Sequence, residues 1–228
     1  MAIKYESVVP WGRSFQEYID MFGLTEADLN KNILGCGDGP ASFNCIMKQK
    51  GKQVSSIDPI YQFSAKELEQ RIIETYPNVI NQTRQNRDKF IWSKIKNVEE
   101  LGKIRMTAMQ DFLMDYEDGK KEKRYLFAEL PALPFANNQF DLALASHFLF
   151  LYTANLSFAF HLESITEMLR VAKEVRIFPL LDLNVARSIY VDEVINKFQS
   201  MAYHVEELKV NYEFQKGGNT MLKIITDV

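Results

Sequence analysis

The residues with the clearest chemical spacing are Gly35, Gly37 and Gly39, which alternate through NILGCGDGPASF at positions 32–43. An apolar run leads into them, and small residues then open what reads as a helix. Glycine permits turns and close backbone approaches that a Cβ would obstruct. A strand, a glycine turn and a helix start together make a nucleotide-type site, because the first amides of a helix point outward unpaired. Asp58 ends a second apolar run, 19 residues beyond Gly39. A carboxylate about 20 residues after such a loop can accept hydrogen bonds from both ribose hydroxyls.

That pairing leaves two cofactor classes open, a dinucleotide and S-adenosylmethionine. The dinucleotide fingerprint needs its third glycine five positions after the first. Counted from Gly35, that position is Pro40, so the spacing fits a dinucleotide badly. Proline suits the first position of a helix, and Pro40 is read as the turn-to-helix boundary.

Further polar residues fall where open α/β sheets bind ligands. Ser146 and His147 follow the apolar run at 140–145, at the carboxyl end of a buried strand. His147 is a candidate proton acceptor at neutral pH; its plain alternative is a packed histidine. His161 and His204 read as surface or helix-end residues. Arg13, with Trp11 and Tyr18, forms a possible lid, and its guanidinium can clasp a cofactor carboxylate in two-pronged fashion. The plain alternative is a surface arginine at a helix start. Glu129, after the third strand, is otherwise a solvated loop carboxylate. No metal site is expected, because the cysteines and histidines lack ligand spacing.

The elements that must position these groups alternate between strand and helix. A capping box at Ser14 and Glu17 opens a short helix through about residue 22, and 25–28 reads as a second short helix. Strands are expected at 31–34, 53–57, 125–128, 140–145 and 174–181. Crossover helices are expected at 41–50, at 162–172 along Leu162, Ile165, Leu169 and Ala172, and at 191–202. Ser64 and Glu67 open a long helix that Pro77 is expected to break. Helices at 84–96 and 98–116 follow, the latter capped by Asn97. About sixty residues between the second and third strands exceed what one crossover needs and imply an inserted helical layer. Leu208, Val210, Tyr212 and Phe214 alternate as a strand that turns at 216–219 and returns over 221–226. The expected fold is a doubly wound, mostly parallel sheet with a C-terminal antiparallel hairpin. It forms one domain over 1–228, with 1–30 and 62–123 as a helical cover.

A chain of 228 residues and 46% apolar content can bury a sizeable core. The net charge of −3 gives no electrostatic footprint for nucleic acid. No window reaches the length of a membrane helix, and the first residues lack the apolar centre of a signal peptide. Two cysteines, Cys36 and Cys45, make no disulfide framework and suit a reducing, cytoplasmic setting.

ILGCGDG, VSSIDP, AELPALPFANNQFDLALASH and EMLRVAKEVRIF together resemble the class I S-adenosylmethionine-dependent methyltransferases, over roughly 32–60 and 124–228. VPWGRSF, ILGCGDGPASFN and SHFLFLY resemble, more narrowly, an uncharacterised bacterial branch of that class. The resemblance implies that Gly35, Gly37 and Gly39 lie under the methionine part of the cofactor and that Asp58 holds the ribose. It implies that Glu129 and Leu130 receive the adenine, and that cofactor and substrate meet at Ser146 and His147. One departure stands out: many members carry an acid two places before the first glycine, where this chain has Ile33. The expected activity is methyl transfer to a small molecule. The alternatives are a non-catalytic S-adenosylmethionine-binding or regulatory protein and, less well matched, an NAD-dependent oxidoreductase.

Overall fold

Residues 9–226 are described by a computed structural model of the chain. The first eight positions of the expected cover, and with them the signal-peptide reading of the first residues, lie outside the described residues. The sheet grows outward from β1 (Ile33–Cys36), which pairs in parallel with β2 (Val54–Ile57) on one side and with β4 (Phe140–Ser146) on the other. β3 (Tyr125–Leu126) extends the sheet beyond β2, and β5 (Ala172–Phe178) beyond β4, again in parallel. β7 (Thr220–Ile225) then pairs antiparallel with β5 and with β6 (His204–Lys209). The order is β3-β2-β1-β4-β5-β7-β6.

Period-two alternation sorts the strand residues to the two faces. Leu34, Ala143 and Ala145 join one core with Ile165 and Met168 of α6 (Phe158–Val171) and Val191, Val194 and Phe198 of α7 (Val191–Ser200). Ile33, Leu142 and Leu144 join the opposite core with Tyr18 and Phe22 of α1 (Phe15–Phe22) and Phe43 and Met47 of α3 (Phe43–Gln49). The expected capping box of α1 forms, and α2 (Glu26–Leu29) carries one as well. α4 (Ala65–Gln85) and α5 (Val98–Lys121) occupy the interval between β2 and β3. A cluster of Tyr61, Leu68, Phe112, Tyr116 and Tyr125 docks them at the β3 edge.

Several boundaries differ from expectation. α4 runs through Pro77. A helical proline deprives the carbonyl four residues back of its donor. That carbonyl belongs to Ile73, and both residues are exposed, so water can take the bond while Leu68, Ile72, Val79 and Ile80 keep the helix docked. The helix expected at 84–96 is absent. Ile91 N–H donates to the Phe214 carbonyl at 2.7 Å, and Phe90 and Trp92 pack on the Phe214 ring. Tertiary pairing thus overrides local helical preference. Pro40 sits in a turn, and α3 starts only at Phe43. β1 and β5 begin two residues away from their expected starts, and β3 is half its expected length. Tyr212 and Phe214 leave the strand and turn inward as buried loop residues.

Candidate active site

The carboxyl ends of β1, β2, β4 and β5 open into one cleft. Strand order reverses at β1, between β2 and β4, and such a switch point is where doubly wound sheets bind ligands. Gly37, Gly39, Asp58, Ser146, His147 and Arg13 all line it. Gly35, Glu129 and Leu130 do not. Glu129 is exposed in the turn after β3, and Leu130 is packed in the α6-side core.

The glycine loop is held by its own polar groups. Gly37 and Gly39 have φ of 67° and 54°, the left-handed region that only glycine enters without strain. Gly37 N–H donates to the Ile57 carbonyl at 2.9 Å, tying the loop to β2. Gly39 N–H donates to Asp58 Oδ2 at 2.8 Å, and Ile60 N–H donates to Oδ1 at 2.9 Å. Asp58 is therefore a turn aspartate and a cleft residue at once. Burial pushes its carboxyl up to about 6, against those two amides.

Asp38 is the acid that the sequence reading missed. Its carboxylate is buried, accepting from Tyr18 Oη at 2.8 Å and from Ser56 Oγ at 2.6 Å. Burial raises it to about 6; the two hydroxyls oppose the rise and neighbouring Asp58 adds to it. The carboxylate folds back over Gly35, whose missing Cβ would sit 1.8 Å from Oδ2. Gly35 therefore serves Asp38 rather than lining the cleft. Ile33 is fully buried in the α1-side core.

Two guanidiniums, Arg13 and Arg105, also line the cleft. Gly12 lets the N-terminal segment press on the loop, since a Cβ there would lie 2.0 Å from the Pro40 carbonyl oxygen. Ser42 N–H donates to the Arg13 carbonyl at 3.0 Å, fixing Arg13 beside the loop. Arg13 Nη1 donates to the Trp11 carbonyl at 2.7 Å. Arg105 of α5 is fully buried yet lines the cleft. It pairs with Glu17, which also accepts from Tyr212 Oη at 2.9 Å. Burial by itself would raise Glu17, but the Arg105 charge and hydrogen bond outweigh it and hold the carboxyl at about 2. Arg105 was also missed, although a signal existed: a charge four residues after Leu101, on the apolar stripe of α5.

His147 follows β4 with φ of 52°, its Nδ1 3.0 Å from Ser146 Oγ and its ring edge-on to Phe178. Burial, then the charges of Arg13 and Arg105, hold its pKa well below the usual value, so the imidazole is neutral at pH 7. Apolar and aromatic side chains, among them Trp11, Leu101, Phe178, Tyr212 and Phe214, complete the walls.

Fold and cleft together define a doubly wound α/β protein with a ligand crevice at the switch point of its sheet. The chain belongs to the same family as uncharacterized protein MJ0045 of Methanocaldococcus jannaschii, 34% identical over 223 residues, 97% of this chain and 98% of the relative. That relative is archaeal, whereas the resemblance read from the sequence pointed to a bacterial branch. No family model matches the chain. Among solved structures, a SAM-dependent methyltransferase from Aquifex aeolicus aligns at TM-score 0.43 and 16% identity, over 92% of this chain and 87% of its own. A TehB-like SAM-dependent methyltransferase from Corynebacterium glutamicum aligns at TM-score 0.48 and 12% identity, over 94% and 88%. Among the described residues, no helix is long and apolar enough to cross a membrane, and no cluster of acids, histidines and cysteines could hold a metal ion.

Proposed function

We propose that the protein is an S-adenosylmethionine-dependent methyltransferase acting on a small molecule. The observation that carries this reading is the convergence of Gly37, Gly39, Asp38, Asp58 and Arg13 on one cleft at the switch point. The donor set suits that cofactor, which joins two cationic centres, a carboxylate and a ribose diol. Asp58 keeps free lone pairs for the diol. Asp38 replaces the acid missing at Ile33 and faces the ammonium group. Arg13, whose Nε is buried without a hydrogen-bond partner among the described residues, takes the carboxylate. Ile60, beside Asp58 in the cleft wall, offers apolar contact for the base. Glu129 and Leu130 gain no support for their adenine role, because they lie outside the lining.

When bound, the cofactor supplies an electrophilic methyl group on a sulfonium. The chain's own residues orient and enclose: Trp11, Phe178 and Tyr212 exclude water, and Ser146 and His147 stand at the strand end where an acceptor would enter. Displacement at a methyl carbon depends on in-line positioning more than on acid–base groups, so one neutral histidine suffices as proton acceptor. The inserted helices at 62–123 and the N-terminal helices through residue 30 form the cover, within one domain.

The dinucleotide alternative loses ground on two counts. Pro40 occupies the third-glycine position, and antiparallel β7 lies beside β5, where the dinucleotide fold continues with a parallel sixth strand. A non-catalytic S-adenosylmethionine-binding regulator is the second reading, favoured by the low basicity of His147. Calorimetry with S-adenosylmethionine, S-adenosylhomocysteine and NAD tests the cofactor class. Tight adenosyl binding with no NAD binding is expected, and preference for NAD would overturn the proposal. Asp58→Ala should weaken adenosyl binding by roughly 1–3 kcal/mol, the range for losing a charged hydrogen-bonding partner. Methyl consumption with candidate acceptors separates enzyme from regulator.

A further inference from the structure

The cleft carries charge of both signs: Asp38 and Asp58 from the loop and the end of β2, Arg13 from the N-terminal segment and Arg105 from α5. The two acids and Arg13 are accounted for by the methyl donor, but Arg105 is not. Its counter-charge, Glu17, is outside the lining, so Arg105 links a buried carboxylate to the cleft wall. Donor capacity remains: Nε is buried without a partner among the described residues, and Nη2 reaches Tyr212 Oη only at 3.5 Å. A buried guanidinium presents five N–H donors in a fixed fork matched to an oxyanion. Leaving such donors unmet in a dry site is costly, and a charged acceptor satisfies them best. Leu101, Phe178, Tyr212 and Phe214 give the same cleft apolar and aromatic walls.

We propose that the methyl acceptor is an apolar, ring-sized molecule bearing an anionic oxygen group, anchored by Arg105 with Tyr212 beside it. The proposal rests on the methyl-transfer reading, and the anionic group is the anchor rather than the methylated atom. Protonated amines are disfavoured at the same place by the two guanidiniums.

The test titrates benzoate, benzamide and benzylamine into the S-adenosylhomocysteine-loaded protein at constant ionic strength, followed by ligand-observed NMR. Benzoate should bind roughly tenfold or more tightly than either neutral or cationic probe, the scale of one charged hydrogen-bonding partner. Glu17→Gln frees Arg105 from its internal counter-charge and should strengthen benzoate binding several-fold, a gain that a purely structural role would not produce. Arg105→Lys keeps the charge but loses the fork, and should weaken it several-fold. Equal binding of benzamide, or benzoate affinity unmoved in both variants, overturns the proposal. Should Glu17→Gln not fold, as judged by circular dichroism, the benzamide comparison and Arg105→Lys decide. Failure of S-adenosylhomocysteine to bind sinks the methyl-donor reading instead, and the same probes on the unloaded protein then decide the anion site separately.

Discussion

The carboxylate of Asp38 lies directly over Gly35, so close that an added Cβ would meet Oδ2 at 1.8 Å. The first glycine of the loop is thus the seat of an acid three residues later. That acid sits in the cleft of a chain that has Ile33 where its resembled class often carries one.

Gly35→Ala should displace Asp38 from Tyr18 and Ser56 rather than merely crowd the strand. A loss of about 1–3 kcal/mol is expected, the usual range for overpacking a buried site. Urea denaturation measures it, and adenosyl binding should fall in parallel. A variant with wild-type stability and affinity would remove Asp38 from its assigned place.

The two cleft aspartates set a pH dependence with a definite sign. Burial raises both to about 6, so the folded chain holds their protons more tightly than the unfolded chain does. Their stabilisation is complete below the unfolded value near 4 and is lost as pH rises through 6, by about 2–3 kcal/mol each. His147 and His161, whose pKa values burial lowers, act in the opposite sense within this window, so the difference between variants is the useful quantity. Asp58→Asn should gain stability relative to the parent as pH rises from 4 to 7. Thermal melts of both proteins across that range check the slope.

His147→Asn keeps a residue that tolerates the left-handed backbone at this position. Turnover should fall by about 10²–10⁴-fold if His147 takes the acceptor proton, with S-adenosylhomocysteine affinity nearly unchanged. The low pKa of His147 also implies that any turnover by the parent protein loses no rate between pH 8 and pH 7 through this group. Unchanged turnover in the variant would make His147 a packing residue.

Arg176 of β5 anchors the N-terminal helices to the sheet. It donates to the Phe22 carbonyl at 2.8 Å, to Asp28 at 3.1 Å and to Glu174 at 2.6 Å, and both Arg176 and Asp28 are buried. Arg176→Met should cost about 1–3 kcal/mol, because it removes buried charged hydrogen bonds while Lys31 still pairs with Asp28 at 2.7 Å. Adding Asp28→Leu should cost less than the sum of the two single changes. Denaturation midpoints of the single and double variants measure both effects.

The sequence by itself determined the periodic elements and the local caps. Ser14 and Ser64 each start a helix where their partners three residues on foretell it, and the apolar run at 140–145 marks β4. These are short-range devices, legible because both partners lie within one turn or one strand. The glycine spacing, Asp58 and His147 were legible for the same reason, since each marks the end of a strand. Tertiary structure decided the rest. Pro77 is tolerated because its orphaned carbonyl faces water, and 90–92 leaves the helical state because Phe214 claims it. Asp38, Arg105 and Tyr212 enter the cleft through partners far away in the chain, Tyr18, Glu17 and each other. A charge on an apolar stripe signals that some partner exists. Which partner meets it is settled only when remote elements pack, because burial and hydrogen bonding are properties of the assembled neighbourhood.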